Sequence, residues 1–265
     1  MIQDFKPKKY EPLYKNIKPC NDDYILCFKN GLVYLINDEI PKISDLKREV
    51  SSRYLFSLND KKYFMSLNEL DSQYQDINIY RRFFGGKGYI IMTAYHMYLW
   101  YRRNNYCGVC GKALVHSEHE RAFICPYCNM LYFPKISPFV IVLIKNTKDD
   151  TIVVTKYKKG YSRFALVAGF IEIGETPEEA VIREVKEEVG LDICNIKYYG
   201  SQPWGISGGL ALGYTCEIKG DSKITLEEDE LSIAKFLRRD DNETEVSDEM
   251  SLTGTMIKDF RLGKI

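Results

Sequence analysis

The stretch GFIEIGETPEEAVIREVKEEVGL, residues 169 to 191, decides the fold of the second half of the chain. Its central part predicts an α-helix over Pro177–Val189, since proline suits the first helical position. Thr176 can cap the N-terminus as part of a capping box, and Gly190 suits a left-handed stop. The helix therefore has specified ends as well as a periodic interior.

Three carboxylates share one face of this predicted helix. Glu184, Glu187 and Glu188 fall within one turn, on an arc of roughly 100°. Like charges at this spacing repel each other, so packing gives no reason for the stripe. Hard cations bound through oxygen ligands would neutralise it, which predicts a divalent-metal site. A separate apolar stripe is expected to face the core: Val181, Ile182, Val185 and Val189.

The wider pattern matches a known signature. Five residues separate Gly169 from Glu175, and seven more separate Glu175 from the run Arg183–Leu191. This pattern resembles the Nudix box of hydrolases that act on a nucleoside diphosphate linked to another group. The alternative is that a glutamate-rich helix is only a solvated face. The resemblance implies a metal-dependent hydrolase with an α/β/α sandwich.

Composition describes an ordinary globular protein. The 265 residues are 45% apolar and 13% aromatic, which is enough for buried cores. Lys plus Arg and Asp plus Glu both number 37, so no broad basic field for non-specific nucleic-acid binding is expected. The start has no apolar segment of signal-peptide type and no stretch is long enough to span a bilayer, so we expect a cytoplasmic protein without membrane contact.

The cysteines predict a zinc ribbon. Cys107 and Cys110 form one C-x-x-C pair, Cys125 and Cys128 form another, and fourteen residues separate the pairs. Two such knuckles supply four thiolates to a tetrahedral zinc ion, and four ligands leave no open position for chemistry. We therefore predict structural zinc, with redox thiols as the alternative. The histidines between the pairs, among them His116, are expected in an exposed loop and not as ligands.

Three parts are predicted along the chain. Residues 1–102 form a small α+β domain, with a hairpin turn at Asn30-Gly31 and a helix over Ala94–Arg103. Residues 103–135 form the zinc ribbon. Residues 136–265 form the Nudix domain, an α+β fold with a mixed sheet covered by helices. Its remaining elements are predicted as strands over Phe139–Ile144, Ile152–Lys156, Ile196–Gly200, Leu210–Ile218 and Ile233–Leu237, with a last helix over Asp248–Phe260.

Features outside the box are similar to the NADH pyrophosphatase branch of the Nudix family. A four-cysteine ribbon directly precedes the Nudix domain, and Ser201-Gln202-Pro203-Trp204 resembles the start of an array in that branch. Glu230, followed by Ala234 and Phe236, resembles a downstream strand whose glutamate completes the metal site. The resemblance implies hydrolysis of NADH or NAD⁺ to nicotinamide mononucleotide and AMP, removal of NAD caps from RNA, and a homodimer.

The chain departs from that branch after Trp204. It has Gly205-Ile206-Ser207-Gly208-Gly209 where the branch has two prolines and a phenylalanine. This change favours, as an alternative, a Nudix hydrolase for another nucleoside diphosphate such as ADP-ribose. A second alternative, from the presence of the ribbon, is a nucleotide-sensing regulator.

The resemblance also implies residue roles. Mg²⁺ or Mn²⁺ would be held by Glu184, Glu187, Glu188, Glu230 and the Ala168 carbonyl, with Glu187 or Glu188 as general base. An ion pair between Arg183 and Glu175 is expected to fix the loop to the helix. Substrate contacts are expected from a set of residues dispersed along the chain: Glu120, Phe133, Phe170, Gln202, Trp204 and Thr253.

Overall fold

The computed structural model describes residues 1–70, 73–82, 85–160, 162–227, 229–242, 246–247 and 249–265. Within them the chain divides into two compact units. None of the helices in these ranges is long and apolar enough to cross a membrane. The N-terminal unit comprises Ile2–Ile136 and Gly205–Gly208, and the C-terminal unit comprises Met1, Ser137–Trp204 and Gly209–Ile265.

The N-terminal unit is built from short strands and one long helix. Two groups of strands pair in the orders β1-β5-β6-β2 and β3-β4-β7. The predicted hairpin at Asn30-Gly31 is confirmed, because both residues have positive φ, 49° and 81°, and join β3 to β4. The strands are β1 Tyr10–Glu11, β2 Tyr24–Leu26, β3 Phe28–Lys29, β4 Leu32–Tyr34, β5 Ser52–Leu58, β6 Lys61–Ser66 and β7 Tyr74–Asp76, and the helices are α1 Ile77–Tyr80 and α2 Gly86–Arg103.

Helix α2 begins eight residues before the predicted start at Ala94. Gly86 and Gly88 lie in its first turn, and glycine is a poor helix former, so the local pattern concealed the beginning of the helix. Its first turns are nevertheless buried at Tyr89–Met92, so packing overrides propensity there.

The ribbon segment contains strands β8 Val115–His116, β9 Phe123–Ile124 and β10 Leu131–Tyr132 in the order β10-β9-β8. The expectation that His116 is an exposed loop residue is wrong. Its ring packs between Tyr14, Tyr101 and Phe123, with centroids 5.5 to 5.6 Å away. Burial lowers the pKa of His116 to about 4, so it is a neutral packing residue.

The C-terminal unit is a mixed sheet with strand order β14-β15-β11-β12-β16. Strand β13 pairs antiparallel with β11, and β11 with β15 is parallel. The elements are β11 Ser137–Asn146, β12 Thr151–Tyr157, β13 Val167–Phe170, α3 Pro177–Val189, β14 Ile193–Trp204, β15 Gly209–Ile218, β16 Leu231–Arg238 and α4 Leu252–Arg261. The predicted start of the last helix, Asp248, lies outside the described residues.

Helices cover both faces of this sheet. In β11, Val140, Val142 and Ile144 pack with α3, whereas Ile141 and Leu143 pack with α4. A strand buried on both faces reads as a continuous apolar run, as this one does. The predicted α/β/α sandwich is confirmed.

The apolar stripe of α3 is narrower than expected. Val181, Val185 and Val189 are fully buried, but Ile182 is about half exposed. Ile182 therefore lies at the edge of the arc that faces the sheet, and its assignment to the core is corrected.

Candidate active site

Helix α3 has the ends that the sequence predicts. The Thr176 hydroxyl accepts a hydrogen bond from the Glu179 N–H at 3.3 Å, and the Glu179 carboxylate accepts one from the Thr176 N–H at 2.7 Å. Gly190 has φ 70° and donates to the Lys186 carbonyl at 3.1 Å. These caps fix the register in which the acidic face meets strand β13.

Glu184 lies directly against the backbone of β13. A Cβ atom on Gly169 would overlap the carboxyl group of Glu184, so no other residue fits there without moving that side chain. The carboxylate of Glu184 is mostly buried, with 13% of the side chain exposed. The acidic site therefore requires a residue without a Cβ atom at position 169.

Arg183 joins the loop to the acidic face. Its Nε and Nη2 contact the two carboxylate oxygens of Glu175, each at 2.8 Å, which confirms the predicted ion pair. Nη1 contacts Glu184 at 2.7 Å and Glu187 at 3.0 Å, and Nη2 also donates to the Phe170 carbonyl at 2.9 Å. The hydrogen bonds from Arg183 lower the pKa of Glu175 to about 2. One guanidinium therefore orients three carboxylates.

Glu188 is a buried acid. It is 3% exposed, and its Oε2 has no hydrogen-bond partner among the described residues. Burial raises the pKa of this carboxyl to about 8, the charges of Glu184 and Glu230 act in the same direction, and a hydrogen bond from the Ala168 backbone opposes them. A partnerless buried carboxylate oxygen is unstable as an anion unless a cation joins it.

Glu230 reaches the site from the loop before β16. The Glu227 N–H donates to the Glu188 carbonyl at 3.0 Å, and the Glu230 N–H donates to the Glu227 carboxylate at 2.8 Å. The Glu230 carbonyl accepts from the Lys158 N–H at 3.0 Å. These bonds tie the loop to the end of α3, and the exposed Glu230 side chain acts on Glu184 and Glu188 through its charge.

The four glutamates form a loose group. Within the described ranges, no three of them have donor oxygens that all lie within 4.8 Å of one another. The group still fits a hard divalent cation, because it offers oxygen donors only and includes the orphaned Oε2 of Glu188.

The four cysteines of the ribbon do form a tight cluster. The Sγ atoms of Cys107, Cys110, Cys125 and Cys128 all lie within 4.8 Å of one another. This arrangement suggests a structural zinc ion, since four thiolates close a tetrahedral shell.

Tyr132 lies beside this cluster, and no sequence motif marks its position. Its hydroxyl oxygen accepts from the Gly108 N–H at 2.9 Å and lies 3.1 Å from the Cys107 Sγ. Since that oxygen already accepts one bond, its hydrogen is free to point at the sulfur. This bond is the main cause that lowers the pKa of Cys107 to about 6.

Two family models match the chain on these same segments. Residues 136–252 match the Nudix domain, and residues 102–133 match the NADH pyrophosphatase zinc ribbon domain. The chain contains both domains.

Curated relatives align with about half of the chain. The NAD-capped RNA hydrolase NudC of Pseudomonas aeruginosa is 37% identical over 144 residues, which are 54% of this chain and 50% of that protein. NudC of Escherichia coli is 38% identical over 144 residues, 53% of this chain and 54% of that protein. The chain thus spans about half the length of the curated relatives that it matches. A Nudix hydrolase structure from Nitrosomonas europaea aligns at 14% identity and TM-score 0.47, over 59% of this chain and 90% of that one.

The expected stacking aromatics lie in different units. In the Nudix domain, Phe170 ends β13 with more than half of its surface exposed, and its ring meets Phe139 edge-on at 5.8 Å. Phe133 is half exposed and, like the exposed Glu120, belongs to the N-terminal unit. Both side chains are about half exposed, and their substrate contacts stay predictions.

Gln202 has a structural position in the Nudix domain. It is 1% exposed, its Nε2 donates to the Met250 carbonyl at 2.8 Å, and its Oε1 accepts from the Leu252 N–H at 2.6 Å. The amide therefore fixes the chain that leads into α4, where Thr253 is half-buried in the first turn. Trp204, at the end of β14, is also half-buried.

The glycines after Trp204 serve close packing. A Cβ on Gly205 would overlap the Met92 carbonyl, and a Cβ on Gly209 would lie 2.8 Å from the Phe139 ring. Gly208 has φ 80°. Each of these glycines therefore has a steric reason in the structure.

Tyr157, the last residue of β12, is a neighbour of the acidic site that was not predicted from the sequence. Burial, together with the charges of Glu188, Glu230 and Glu184, raises the pKa of its hydroxyl far above the ordinary value. Its phenol is therefore a neutral neighbour of the acidic site. The predicted strand ended one residue earlier, at Lys156, and no motif marked this position.

Proposed function

We propose that the chain hydrolyses the pyrophosphate bond of NADH or NAD⁺ to nicotinamide mononucleotide and AMP, and that it also cleaves the NAD cap of RNA. The observation that carries the hydrolase proposal is the buried Glu188 carboxylate, whose Oε2 has no hydrogen-bond partner among the described residues. The substrate is suggested by the ribbon match and by the NAD-capped RNA hydrolases that resemble this chain.

The acidic residues would hold Mg²⁺ or Mn²⁺. Glu184, Glu188 and Glu230 supply carboxylate oxygens, Ala168 supplies its carbonyl, and Glu187 borders the group. When bound, such ions neutralise charge on the pyrophosphate and lower the pKa of water.

We assign Glu187 as the general base that accepts the proton of the attacking water. This carboxylate is exposed, whereas Glu188 is buried and directs one oxygen at the Ala168 backbone. Arg183 donates to Glu187 Oε2 at 3.0 Å, which keeps this side chain near Glu184.

The flat groups of the substrate would stack on exposed rings. Phe170 and Phe133 are proposed for this role, with stacking worth about 1 to 3 kcal/mol per base. Glu120, Trp204 and Thr253 are proposed as further contacts, and Gln202 as a group that acts by positioning residues 250–252.

The proposal also covers the domain boundaries, the cellular compartment and the oligomeric state. We divide the chain into an N-terminal domain at 1–102, the ribbon at 103–135 and the Nudix domain at 136–265, and we propose a cytoplasmic homodimer. Eight cysteines without a disulfide suit a reducing compartment. Exposed apolar side chains on the ribbon suit a subunit interface: Tyr106, Val109, Tyr127, Met130 and Leu131. Light scattering would test the dimer.

A second candidate substrate is ADP-ribose. The observation that favours it is the loop 205–209, which lacks the prolines and phenylalanine of the resembling branch. A loop of different shape would contact the nicotinamide side of the substrate differently while leaving the pyrophosphate site unchanged.

A panel of substrates tests these proposals. Purified full chain is supplied with Mg²⁺ or Mn²⁺ and with NADH, NAD⁺, NAD-capped RNA, ADP-ribose or diadenosine polyphosphates, and the products are separated by chromatography. We expect the highest kcat/KM with NADH or NAD-capped RNA and formation of AMP from NADH. Equal or faster cleavage of ADP-ribose would remove the NADH assignment.

The acidic site is tested by Glu188→Gln, with Glu172→Gln as the control. Glu172 is an exposed glutamate of the loop before α3. We expect Glu188→Gln to abolish turnover with nucleotide binding retained, and Glu172→Gln to leave turnover unchanged. Full turnover by Glu188→Gln would favour a site other than the one described, and binding without turnover in the wild type would favour a nucleotide sensor.

A further inference from the structure

A groove of about 1360 Å³ lies on the N-terminal unit, between the loop 16–21 and the segment 43–52. Small-molecule pockets are usually smaller, roughly 300 to 1,000 Å³, and mostly apolar. Ten of the fifteen residues that line this groove are polar or charged, and none of the fifteen is aromatic. The groove therefore suits a long polar ligand better than a compact apolar one.

The charge of the groove is positive. Lys18, Lys47 and Arg48 line it against one acidic residue, Glu49. Lys18 and Lys47 are exposed, and neither has an ion-pair partner among the residues that the structure describes. Arg48 donates to the Glu69 carbonyl, which holds its guanidinium at the groove wall. Two free ammonium groups on a polar wall favour a phosphate-bearing ligand.

The walls of the groove are fixed to each other by backbone hydrogen bonds. The Ser44 N–H donates to the Asn21 carbonyl at 3.0 Å, and the Ile43 N–H donates to the Asp23 carbonyl at 2.9 Å. The Ser51 N–H donates to the Asn68 side-chain oxygen at 3.0 Å. A preformed groove loses little conformational entropy when it binds.

The two units of the chain carry opposite formal charges, and the groove lies on the positive one. The N-terminal unit contains 20 Lys and Arg against 14 Asp and Glu, a formal charge of +6. The C-terminal unit contains 17 Lys and Arg against 23 Asp and Glu, a formal charge of −6. The net charge of zero therefore conceals one unit that attracts polyanions and one that repels them.

We propose that this groove binds the phosphate backbone of single-stranded RNA, the strand that follows an NAD cap. The inference rests on the proposed function for its substrate and assigns the cap and the strand to different parts of the chain. Lys18 and Lys47 each contact a phosphate, which carries no sequence information. Without aromatic side chains in the groove, base stacking does not contribute there, so binding tolerates any sequence and weakens with salt.

Binding of a short, uncapped single-stranded RNA tests the groove. Fluorescence anisotropy is measured over a salt series for the wild type and for the double variant Lys18→Ala/Lys47→Ala. Removing two phosphate contacts should reduce the slope of log K against log salt by about 1.4 and weaken binding about tenfold at low salt. The control is Lys61→Ala/Lys62→Ala on strand β6, which removes the same charge outside the groove and should keep the wild-type slope.

Turnover assays separate this inference from the proposed function. The double variant should cleave NADH at the wild-type rate and show a raised KM for NAD-capped RNA with kcat unchanged. If the wild type cleaves neither substrate, the proposed function is wrong. The anisotropy measurement still shows whether the groove binds RNA. An unchanged slope in the double variant, an equal loss in the control, or displacement of the RNA by an equal concentration of AMP would overturn the assignment.

Discussion

The carboxyl group of Glu184 occupies the space that a side chain on Gly169 would need. Gly169→Ala should therefore displace Glu184 from β13 and lower kcat/KM for NADH by about 100-fold, a typical cost of a misplacement near 1 Å. The control is Gly200→Ala, where a Cβ meets no atom within 4 Å and φ is not positive. Steady-state kinetics of both variants check this. Wild-type kinetics for Gly169→Ala would show that Glu184 moves aside without consequence.

Arg183 should not be replaceable by lysine. An ammonium group cannot reproduce the paired contacts with Glu175 while also reaching Glu184 and Glu187. We expect Arg183→Lys to lower kcat about 10- to 100-fold and to raise the Mg²⁺ concentration needed for half-maximal rate. A titration of rate against Mg²⁺ measures both. Lys186→Arg, on the same helix but paired with Asp192, is the matched control.

The same ion pair gives a pH dependence of stability. Arg183 lowers the pKa of Glu175 to about 2, so the folded state favours the ionised carboxylate. The stabilisation is present above the ordinary value of about 4.5 and is lost as pH falls toward 2. Thermal melts from pH 6 to pH 2 should give a higher melting temperature for the wild type than for Glu175→Gln at pH 6. The two melting temperatures should converge as the pH falls toward 2. A constant difference across this range would contradict the pairing.

In metal-free protein, ionisation of Glu188 lowers the stability, whereas ionisation of Glu175 raises it. Its pKa is raised by burial to about 8, so metal-free protein loses stability as pH rises from about 4.5 through 8. In EDTA at pH 9, Glu188→Gln should be more stable than wild type by on the order of a few kcal/mol, with the difference vanishing near pH 4.5. Urea unfolding measures this. Adding Mg²⁺ should raise the stability of the wild type and not of the variant.

Much of this site could be predicted from the sequence because its signals are local. The caps of α3, the spacing of Glu184 and Glu188, and the pairing of Arg183 with Glu175 all depend on residues near each other in the chain. A helix of fixed period converts such spacing directly into geometry.

Other features depend on distant residues and could not be predicted. Tyr157 and Glu227 reach the acidic site from a strand end and a loop, and no spacing rule connects them to α3. The ring of His116 packs against Tyr101 and Phe123 and also against Tyr14, which lies about a hundred residues earlier, and no local pattern predicts these contacts. The early start of α2 was hidden by glycines whose weak propensity is overridden by packing.

Tyr132 provides a last prediction, on the ribbon. Its hydroxyl is held by the Gly108 N–H and lies 3.1 Å from the Cys107 Sγ, so it can stabilise that sulfur as a thiolate. We expect one zinc per chain by metal analysis, and we expect Tyr132→Phe to release zinc to a chromogenic chelator about tenfold faster. Tyr127→Phe is the control, because Tyr127 lies in the second knuckle with its ring largely exposed. Equal release rates for the two variants would mean that the hydroxyl does not stabilise the bound metal, and Cys125→Ser should lose zinc altogether.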